Sequence, residues 1–268
     1  KTTMTQKIHA AIIGFSLLVL ASCQSDNAAN EEKASLDPET YTQEFFTFLD
    51  EKWDENVDRY PTWQSYLGIK KDYDKWSDNS DSMAIAELER DKILLDTLKA
   101  KFDPDQMTKQ GELTYRMMVN KIEEDIENFD FRHYSYPVNQ MYGTHSWIPS
   151  FMINIHRISS VSDAEAYLKR LESVDYPIGQ LIDNLEIRAE KGIIAPKFVF
   201  PLVLDDCQNI ISGYPLDEKA DTNAIYSDFK RKIAGLDSLN SDEKQKMLKR
   251  ASLALKNVML PSYKELIA

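Results

Sequence analysis

Hydrophobic residues recur at helical spacing along most of the chain after residue 36. Asp37 followed by Pro38 is typical of a helix start, because Asp caps the free N–H groups and Pro fits the first helical position. A second helical pattern stops near Pro104, and Thr108 is expected to cap a third. The apolar positions of these three predicted helices are Phe45, Phe46, Leu49, Trp53 and Val57, then Ile85, Leu88, Leu95, Leu98 and Phe102, and then Tyr115, Met118, Ile122, Ile126 and Phe129.

The later part of the chain repeats this helical pattern. Ser162 and Glu165 have the spacing of a capping box, and Gly192 follows a basic last turn, where a helix often ends. No segment alternates as a half-buried strand would, and no internal repeat is visible. We therefore predict an all-α fold, an irregular multi-helix bundle. Further helices are predicted over 198–211 and 224–236, and from 241 onwards.

The end of the sequence has no helix stop signal. The helical pattern that begins at Ser241 continues past Pro261 to Ala268 without a capping Gly or a polar tail. We expect the domain to be cut short at its C-terminus and to be the N-terminal lobe of a larger helical fold. The alternative is a short apolar tail that packs back on the bundle.

The first residues are typical of an export signal. Lys1 and Lys7 precede an uncharged apolar stretch over 10–20, which is too short to cross a bilayer as a permanent helix. Residues 1–22 are predicted to be a signal peptide, 23–36 a lipidated N-terminus and disordered tether, and 37–268 a helical domain. The tether is polar and carries too little apolar surface to fold.

The run Leu20-Ala21-Ser22-Cys23 resembles the lipobox of bacterial lipoproteins, in which the Cys becomes the lipidated first residue. Acyl chains on Cys23 would anchor the protein to a membrane. Gln24 stands where an Asp often retains such lipoproteins at the inner membrane, so the resemblance implies an outer-membrane lipoprotein that faces the periplasm or the cell surface.

Charge and composition exclude other classes. The chain carries 32 Lys and Arg against 44 Asp and Glu, a net charge of −12, and no basic stripe, so a nucleic-acid partner is not expected. Hydrophobic residues make up 43% of the chain, which is enough for a folded core. Cys207 has no second thiol left to pair with if Cys23 is lipidated, and it is interpreted as a buried small hydrophobe.

Motifs that carry catalytic chemistry are absent from the sequence. None of the four His residues stands in a His-Glu-x-x-His or His-Glu-x-x-Glu run, so no metal ligand is assigned. Neither a Gly-rich phosphate loop nor the Gly-x-Ser-x-Gly nucleophile elbow occurs. We therefore assign no catalytic residue and no cofactor to this chain.

The segment 131–149 combines aromatic rings with amide, imidazole and hydroxyl groups. Its Pro and Gly residues argue against a single regular helix, and irregular segments on a rigid frame often hold binding groups. The candidates for a substrate cleft are Asn139, Gln140, Tyr142 and His145. The alternative is an ordered connection whose aromatic residues fill the bundle and whose amides satisfy loop backbone groups.

Several blocks of the sequence resemble one family. They are Tyr60-Pro61-Thr62-Trp63-Gln64-Ser65-Tyr66-Leu67-Gly68-Ile69, Glu112-Leu113-Thr114-Tyr115, Phe131-Arg132-His133-Tyr134, Pro137-Val138-Asn139-Gln140, Asp163-Ala164-Glu165-Ala166-Tyr167 and Arg188-Ala189-Glu190-Lys191-Gly192-Ile193-Ile194-Ala195-Pro196. In this order they resemble the bacterial family of unknown function numbered 885.

Members of that family look like distant relatives of gluzincin metallopeptidases, many with lipoprotein signals, and their metal motif lies in a C-terminal half. The resemblance therefore implies zinc and a peptide substrate for the complete protein, whose missing C-terminal half would be a partner of this chain. It transfers no zinc ligand and no general base to these residues, so this chain alone is predicted to be inactive. The alternative is a non-catalytic helical binding or scaffold lipoprotein of the cell envelope.

Overall fold

The structure is a computed structural model, and it describes residues 37–218 and 221–268. The predicted signal peptide, Cys23 and the tether lie outside the described residues. The predicted all-α fold is confirmed, since the described residues form helices and no strand, apart from two isolated bridges. The helices are α1 Pro38–Arg59, α2 Pro61–Tyr66, α3 Asp81–Lys101, α4 Lys109–Asn128, α5 Thr144–Asn154, α6 Val161–Glu172, α7 Asp175–Glu190, α8 Val199–Ile210, α9 Ala224–Ala234, α10 Ser241–Ala254 and α11 Leu260–Ile267.

Two helix starts follow the predicted caps, and a third differs. The Asp37 carboxylate accepts the N–H groups of Glu39 and Thr40 at the start of α1, and the Thr108 hydroxyl accepts that of Gly111 in α4. The capping box predicted at Ser162 is wrong. Ser160 caps α6 instead, because its backbone is extended and its hydroxyl accepts the N–H of Asp163. Among the described helices, none has the length and apolar content needed to cross a bilayer.

Helix α5 differs from the expected irregular segment. Its first turns are helical although Pro149 lies inside the helix. Proline has no N–H, so the carbonyl four residues earlier, that of His145, loses its helical donor. The Tyr263 hydroxyl of α11 donates to this carbonyl at 2.5 Å and replaces the missing bond. A residue far along the chain therefore permits a helix that local sequence disfavours.

The C-terminal helices form one continuous rod. Asn240 and Glu243 make a capping box at the start of α10, and a single π-helical turn, Leu255–Met259, joins α10 to α11. This wider turn lies directly before Pro261 and accommodates its missing donor. Met259 and Tyr263 are fully buried, whereas Leu266 and Ile267 are partly buried. The predicted C-terminal truncation stays a prediction.

The core consists of two hydrophobic clusters. The smaller one joins α1, α3 and α4 around Phe45 and Leu98. The larger one joins α5 to α11 around Tyr167 and Phe229, whose rings stack. Residues 129–143 connect α4 to α5, so this irregular stretch links the two groups of helices along the chain.

A buried arginine joins α2 to the larger cluster. The guanidinium of Arg170 donates to the Pro61 carbonyl, the Ser65 hydroxyl and the Lys75 carbonyl, at 3.3, 2.9 and 2.9 Å. It also contacts Nδ1 of His156 at 3.0 Å. Burial lowers the pKa of Arg170 to about 10, which still leaves the side chain charged at neutral pH. These bonds fix α2 and the following loop against α6.

Candidate functional site

A short β-hairpin forms the centre of the irregular segment. The N–H of Asn139 donates to the Tyr142 carbonyl at 3.0 Å, and the N–H of Thr144 donates to the Pro137 carbonyl at 3.3 Å. The Asn139 side chain accepts the N–H groups of Met141 and Tyr142 and closes the turn. At Gly143 a Cβ atom would lie 2.8 Å from the Pro137 oxygen, so the two arms approach more closely than a side chain allows.

Arg188 of α7 holds the start of this segment. Its guanidinium donates to the backbone carbonyls of Ser135 and Arg132, at 2.9 and 3.2 Å, and to that of Asn184 at 2.8 Å. The side chain is largely buried, so these bonds also satisfy carbonyl groups that water reaches poorly. Two of the sequence blocks noted above are therefore in direct contact.

His133 is a second anchor of the same segment. It is buried, with Nε2 at 2.8 Å from an Asp81 oxygen and Nδ1 at 2.8 Å from the Lys191 ammonium. Since the ammonium can only donate, Nδ1 accepts and Nε2 carries the proton that is donated to Asp81. Asp81 also pairs with Arg132 at 2.8 Å, and hydrogen bonds from Arg132 and His133 lower the pKa of Asp81 to about 2. His133 thus ties α3 to α7.

Two of the cavities that border the hairpin have walls that are mainly aromatic or apolar, and the first is called the aromatic groove. It has a volume of about 580 Å³, and none of its lining residues is Asp, Glu, Lys, Arg or His. The indole N–H of Trp147 donates to the Tyr66 hydroxyl at 3.1 Å and fixes one wall. The lining residues are Ser135, Tyr136, Pro137, Asn139, Tyr142, Gly143, Thr144 and Trp147.

The second cavity, of about 330 Å³, is called the apolar cavity. It lies between α7, α8 and α11 and shares Tyr136 and Pro137 with the aromatic groove. Arg188 is the one charged side chain of its lining, and its guanidinium already binds backbone carbonyls. The remaining lining residues are Val138, Leu185, Ala189, Ile193, Ile194, Ala195, Val199, Phe200, Val203, Leu204, Cys207, Leu266, Ile267 and Ala268.

The structure brings together only part of the predicted cleft. Asn139 and Tyr142 line the aromatic groove, and Gln140 lies exposed at the hairpin turn, outside both linings. His145 does not face the cleft: it lies in the interior, because the first turn of α5 points it towards α8. Its Nε2 is 3.8 Å from a carboxylate oxygen of Asp206, and burial lowers the pKa of His145.

Sequence reasoning missed the contributions of Trp147 and Val138 to the two cavities. Trp147 lies in the segment 131–149, which was selected from the sequence, and its aromatic side chain was the signal that could have identified it. Val138 is an ordinary apolar residue, and nothing in its type indicates its position at the border of a cavity.

The described residues do not fit a zinc site. His133 is bound to Asp81 and Lys191, and burial lowers the pKa of His156 to about 3 while its ring contacts Arg170. Within residues 37–218 and 221–268, no three His, Cys, Asp or Glu side chains converge as metal ligands. Burial raises the pKa of the Cys207 thiol to about 11, so this sulfur is a thiol rather than a thiolate. No reaction step through zinc follows from these residues.

Comparisons with known proteins place the sequence in a family and show a similar fold. Residues 61–268 match the family described as bacterial protein of unknown function (DUF885). No curated protein shows significant similarity to the chain. A crystal structure of a proposed lipoprotein from Colwellia psychrerythraea has a similar fold, with a TM-score of 0.63 and 17% sequence identity. The similarity covers 79% of this chain and 37% of that chain, so this chain spans well under half the length of that relative.

Proposed function

The chain belongs to the bacterial DUF885 family, and from that premise we propose that it is the substrate-binding helical part of an exported lipoprotein whose longer form hydrolyses peptide bonds with zinc. The resemblance to gluzincin-like proteins supports the reaction class. The far greater length of the Colwellia psychrerythraea relative, which is itself described as a lipoprotein, supports a longer form. In this proposal residues outside the chain hold the metal.

The observation that carries the proposal is the fixed hairpin between two cavities. Arg188 and His133 hold the segment that leads into the hairpin, so its cavities keep their shape without a ligand. A wall of a substrate cleft needs this property, because a preorganised surface loses little conformational entropy on binding. The residues of this chain would bind and orient a substrate rather than transfer protons, since no Asp, Glu or His side chain lines either cavity.

The test compares this chain with the complete gene product. Both are purified and dialysed, zinc is measured by mass spectrometry, and hydrolysis of blocked peptides is followed by product analysis. We expect stoichiometric zinc and cleavage for the complete protein, and neither for this chain. Stoichiometric zinc in this chain, or a complete protein that binds no zinc and cleaves no peptide, would contradict the proposal.

A second candidate is a non-catalytic binding or scaffold lipoprotein on the same frame. The lack of a carboxylate, imidazole or ammonium group among the side chains of the aromatic groove favours it, because such a surface can bind but has none of the most common catalytic acids and bases. This candidate predicts that the complete protein binds peptides and releases them uncleaved. The same product analysis therefore separates the two functions.

The proposed anchoring has its own test. Cys23→Ser should move the protein from the membrane fraction to the soluble fraction, because the acyl chains would have no attachment site. Cys207→Ser is the matched control, since this thiol is buried and the protein should stay with the membrane. Equal membrane association of both variants would contradict lipidation at Cys23. A density gradient that separates the two membranes tests the proposed outer-membrane location.

A further inference from the structure

We propose that the open edge of the hairpin at Val138 binds an extended, uncharged peptide segment as an added β-strand. The side chains of that segment would enter the aromatic groove and the apolar cavity. The proposal names the substrate class of the site described above and rests on the proposed function for the choice of a peptide.

The hydrogen-bond pattern of the hairpin leaves Val138 free. Val138 and Gly143 form an antiparallel bridge, which is closed by the bonds of the neighbouring pairs, Asn139 with Tyr142 and Pro137 with Thr144. Val138 and Gly143 are therefore a non-hydrogen-bonded pair. The N–H and C=O of Val138 point away from the partner strand. Among the described residues, no group bonds to the backbone of Val138.

The opposite edge of the hairpin is covered. The Gly143 carbonyl accepts the N–H groups of Ser146 and Trp147 at the start of α5, at 3.1 and 2.9 Å. A strand can therefore be added on the Val138 side only. Strand addition to an exposed edge is a recurring mode of peptide recognition, in which the main chain supplies affinity and alternate side chains supply specificity.

The position of the edge gives a peptide access to both cavities. Val138 lines the apolar cavity, while the two residues before it, Tyr136 and Pro137, line both the apolar cavity and the aromatic groove. A strand paired with Val138 runs past these residues, and its successive side chains point to opposite faces. Neighbouring side chains of the peptide would then contact different cavities.

The charge of the two linings determines which peptides fit. The aromatic groove has no Asp, Glu, Lys, Arg or His, and the guanidinium of Arg188 in the apolar cavity is used by backbone carbonyls. A charged side chain that entered either cavity would lose water without gaining a partner. Aromatic and aliphatic side chains lose nothing there, and polar contacts to Asn139 and Thr144 remain available in the groove.

The free backbone pair favours a peptide over a sugar chain. Aromatic rings with amide and hydroxyl groups could also stack against sugar rings, but that contact makes no use of an N–H and a C=O on one residue. A peptide supplies the complementary C=O and N–H at the spacing of a strand. Binding of a sugar chain is therefore an outcome that the experiment must separate.

In the experiment, this chain is titrated with a blocked heptapeptide in which threonine alternates with tyrosine, and binding is measured by calorimetry. Single N-methylation of successive peptide amides should lower affinity at least about tenfold at the one position whose N–H donates to the Val138 carbonyl. Replacing the tyrosines by glutamate or lysine should lower affinity by a similar factor. N-methylation without any effect would overturn strand pairing.

Two tyrosine variants provide a matched pair. Tyr142 and Tyr134 are about equally exposed, at 68% and 69%, but of the two only Tyr142 lines the aromatic groove, and Tyr134 lines neither this groove nor the apolar cavity. Tyr142→Ala should weaken peptide binding, whereas Tyr134→Ala should leave it unchanged, and circular dichroism checks that both fold. Equal losses in the two variants would overturn the proposal. So would binding of a chitin oligosaccharide that Tyr142→Ala abolishes while the heptapeptide does not bind.

The experiments distinguish a failure of the proposed strand pairing at Val138, called the edge proposal, from a failure of the proposed peptidase function. If the complete protein cleaves peptides with zinc but N-methylation has no effect on binding to this chain, the edge proposal alone is wrong. If this chain binds the heptapeptide as described but the complete protein has no zinc and no activity, the proposed peptidase function is wrong and the edge proposal stands.

Discussion

The side chain of Lys232 is largely buried, which is unusual for a lysine. Its ammonium donates to the carbonyls of Met152, Ile153 and His156, at 2.9, 2.8 and 2.9 Å, and pairs with Asp228 at 2.7 Å. These carbonyls are the free groups at the C-terminal end of α5 and just beyond it. A single side chain of α9 therefore caps α5. Burial lowers the pKa of Lys232, although Asp228 opposes this shift.

Lys232→Met should destabilise the fold by about 3 kcal/mol, because it leaves the buried Asp228 with Arg231 as its remaining cationic partner and the end of α5 without a donor. Lys230→Met is the matched control: Lys230 lies exposed on the same helix and should change stability by less than about 0.5 kcal/mol. Urea unfolding of both variants measures the difference. Similar stabilities would show that the cap contributes little.

His156 predicts a specific loss of stability in acid. Burial, with Arg170 as a nearby like charge, lowers the pKa of His156 to about 3, whereas the unfolded chain has a value near 6.5. Between these values only the unfolded chain takes up the proton, so stability is fully present above pH 6.5 and is lost as pH falls towards 3. At pH 5 the loss from this group is about 2 kcal/mol.

His156→Gln tests this prediction. A Gln amide can donate to the Asp163 carbonyl and accept from Arg170 as the neutral imidazole does, but it takes up no proton. The variant should therefore lose about 2 kcal/mol less than the unmodified protein between pH 7.5 and pH 5, by urea unfolding at both values. His145 adds the same acid sensitivity to both proteins and cancels in the comparison. Identical losses would mean that His156 is protonated in the folded state.

At the scale of secondary-structure elements, a contact from α11 allows α5 to be helical around Pro149. The Tyr263 hydroxyl replaces the helical donor that Pro149 lacks, so Tyr263→Phe should leave the His145 carbonyl unpaired in the core. The expected loss is about 1 to 3 kcal/mol. In a Pro149→Ala background the restored N–H can serve this carbonyl, and the same substitution should be less costly. A double-mutant cycle of unfolding free energies measures the coupling, and additive effects would contradict the account.

Helices with strong local signals could be predicted from the sequence, and those that depend on distant contacts could not. Asp37, Pro38 and Thr108 act within one turn of their own helices, so α1 and α4 were predicted from the cap residues. Helix α5 depends on Tyr263, more than a hundred residues later, and its Pro149 pointed away from a helix. The cap predicted at Ser162 is wrong because the backbone is extended at Ser160, two residues earlier, where the hydroxyl accepts the N–H of Asp163.

The candidate site was also predictable only where the signal is local in the sequence. The concentration of aromatic and polar groups identified the segment, and Asn139 and Tyr142 do line the groove. The burial of His145 depends on the packing of α5 against α8, which no spacing in the sequence reveals. The free edge at Val138 is a property of backbone pairing rather than of side-chain type, so residue chemistry alone gives no sign of it.

At the scale of the whole molecule, the segment between the two groups of helices is the feature that links fold to function. Bonds from α3 and α7 hold its first residues, α5 covers one edge of its hairpin, and the other edge is open beside the aromatic groove and the apolar cavity. The helical frame therefore presents a short strand edge in a fixed position. The central claim is that this edge binds peptide.

Amide hydrogen exchange at Val138, followed by NMR with and without the blocked threonine–tyrosine heptapeptide, tests that claim most directly. The N–H of Val138 has no partner in the free protein and should exchange quickly, then slow at least about tenfold when a peptide strand accepts from it. The N–H groups of Asn139 and Thr144 are already bonded across the hairpin and should change much less. Unchanged exchange at Val138 in a saturated complex would contradict the account.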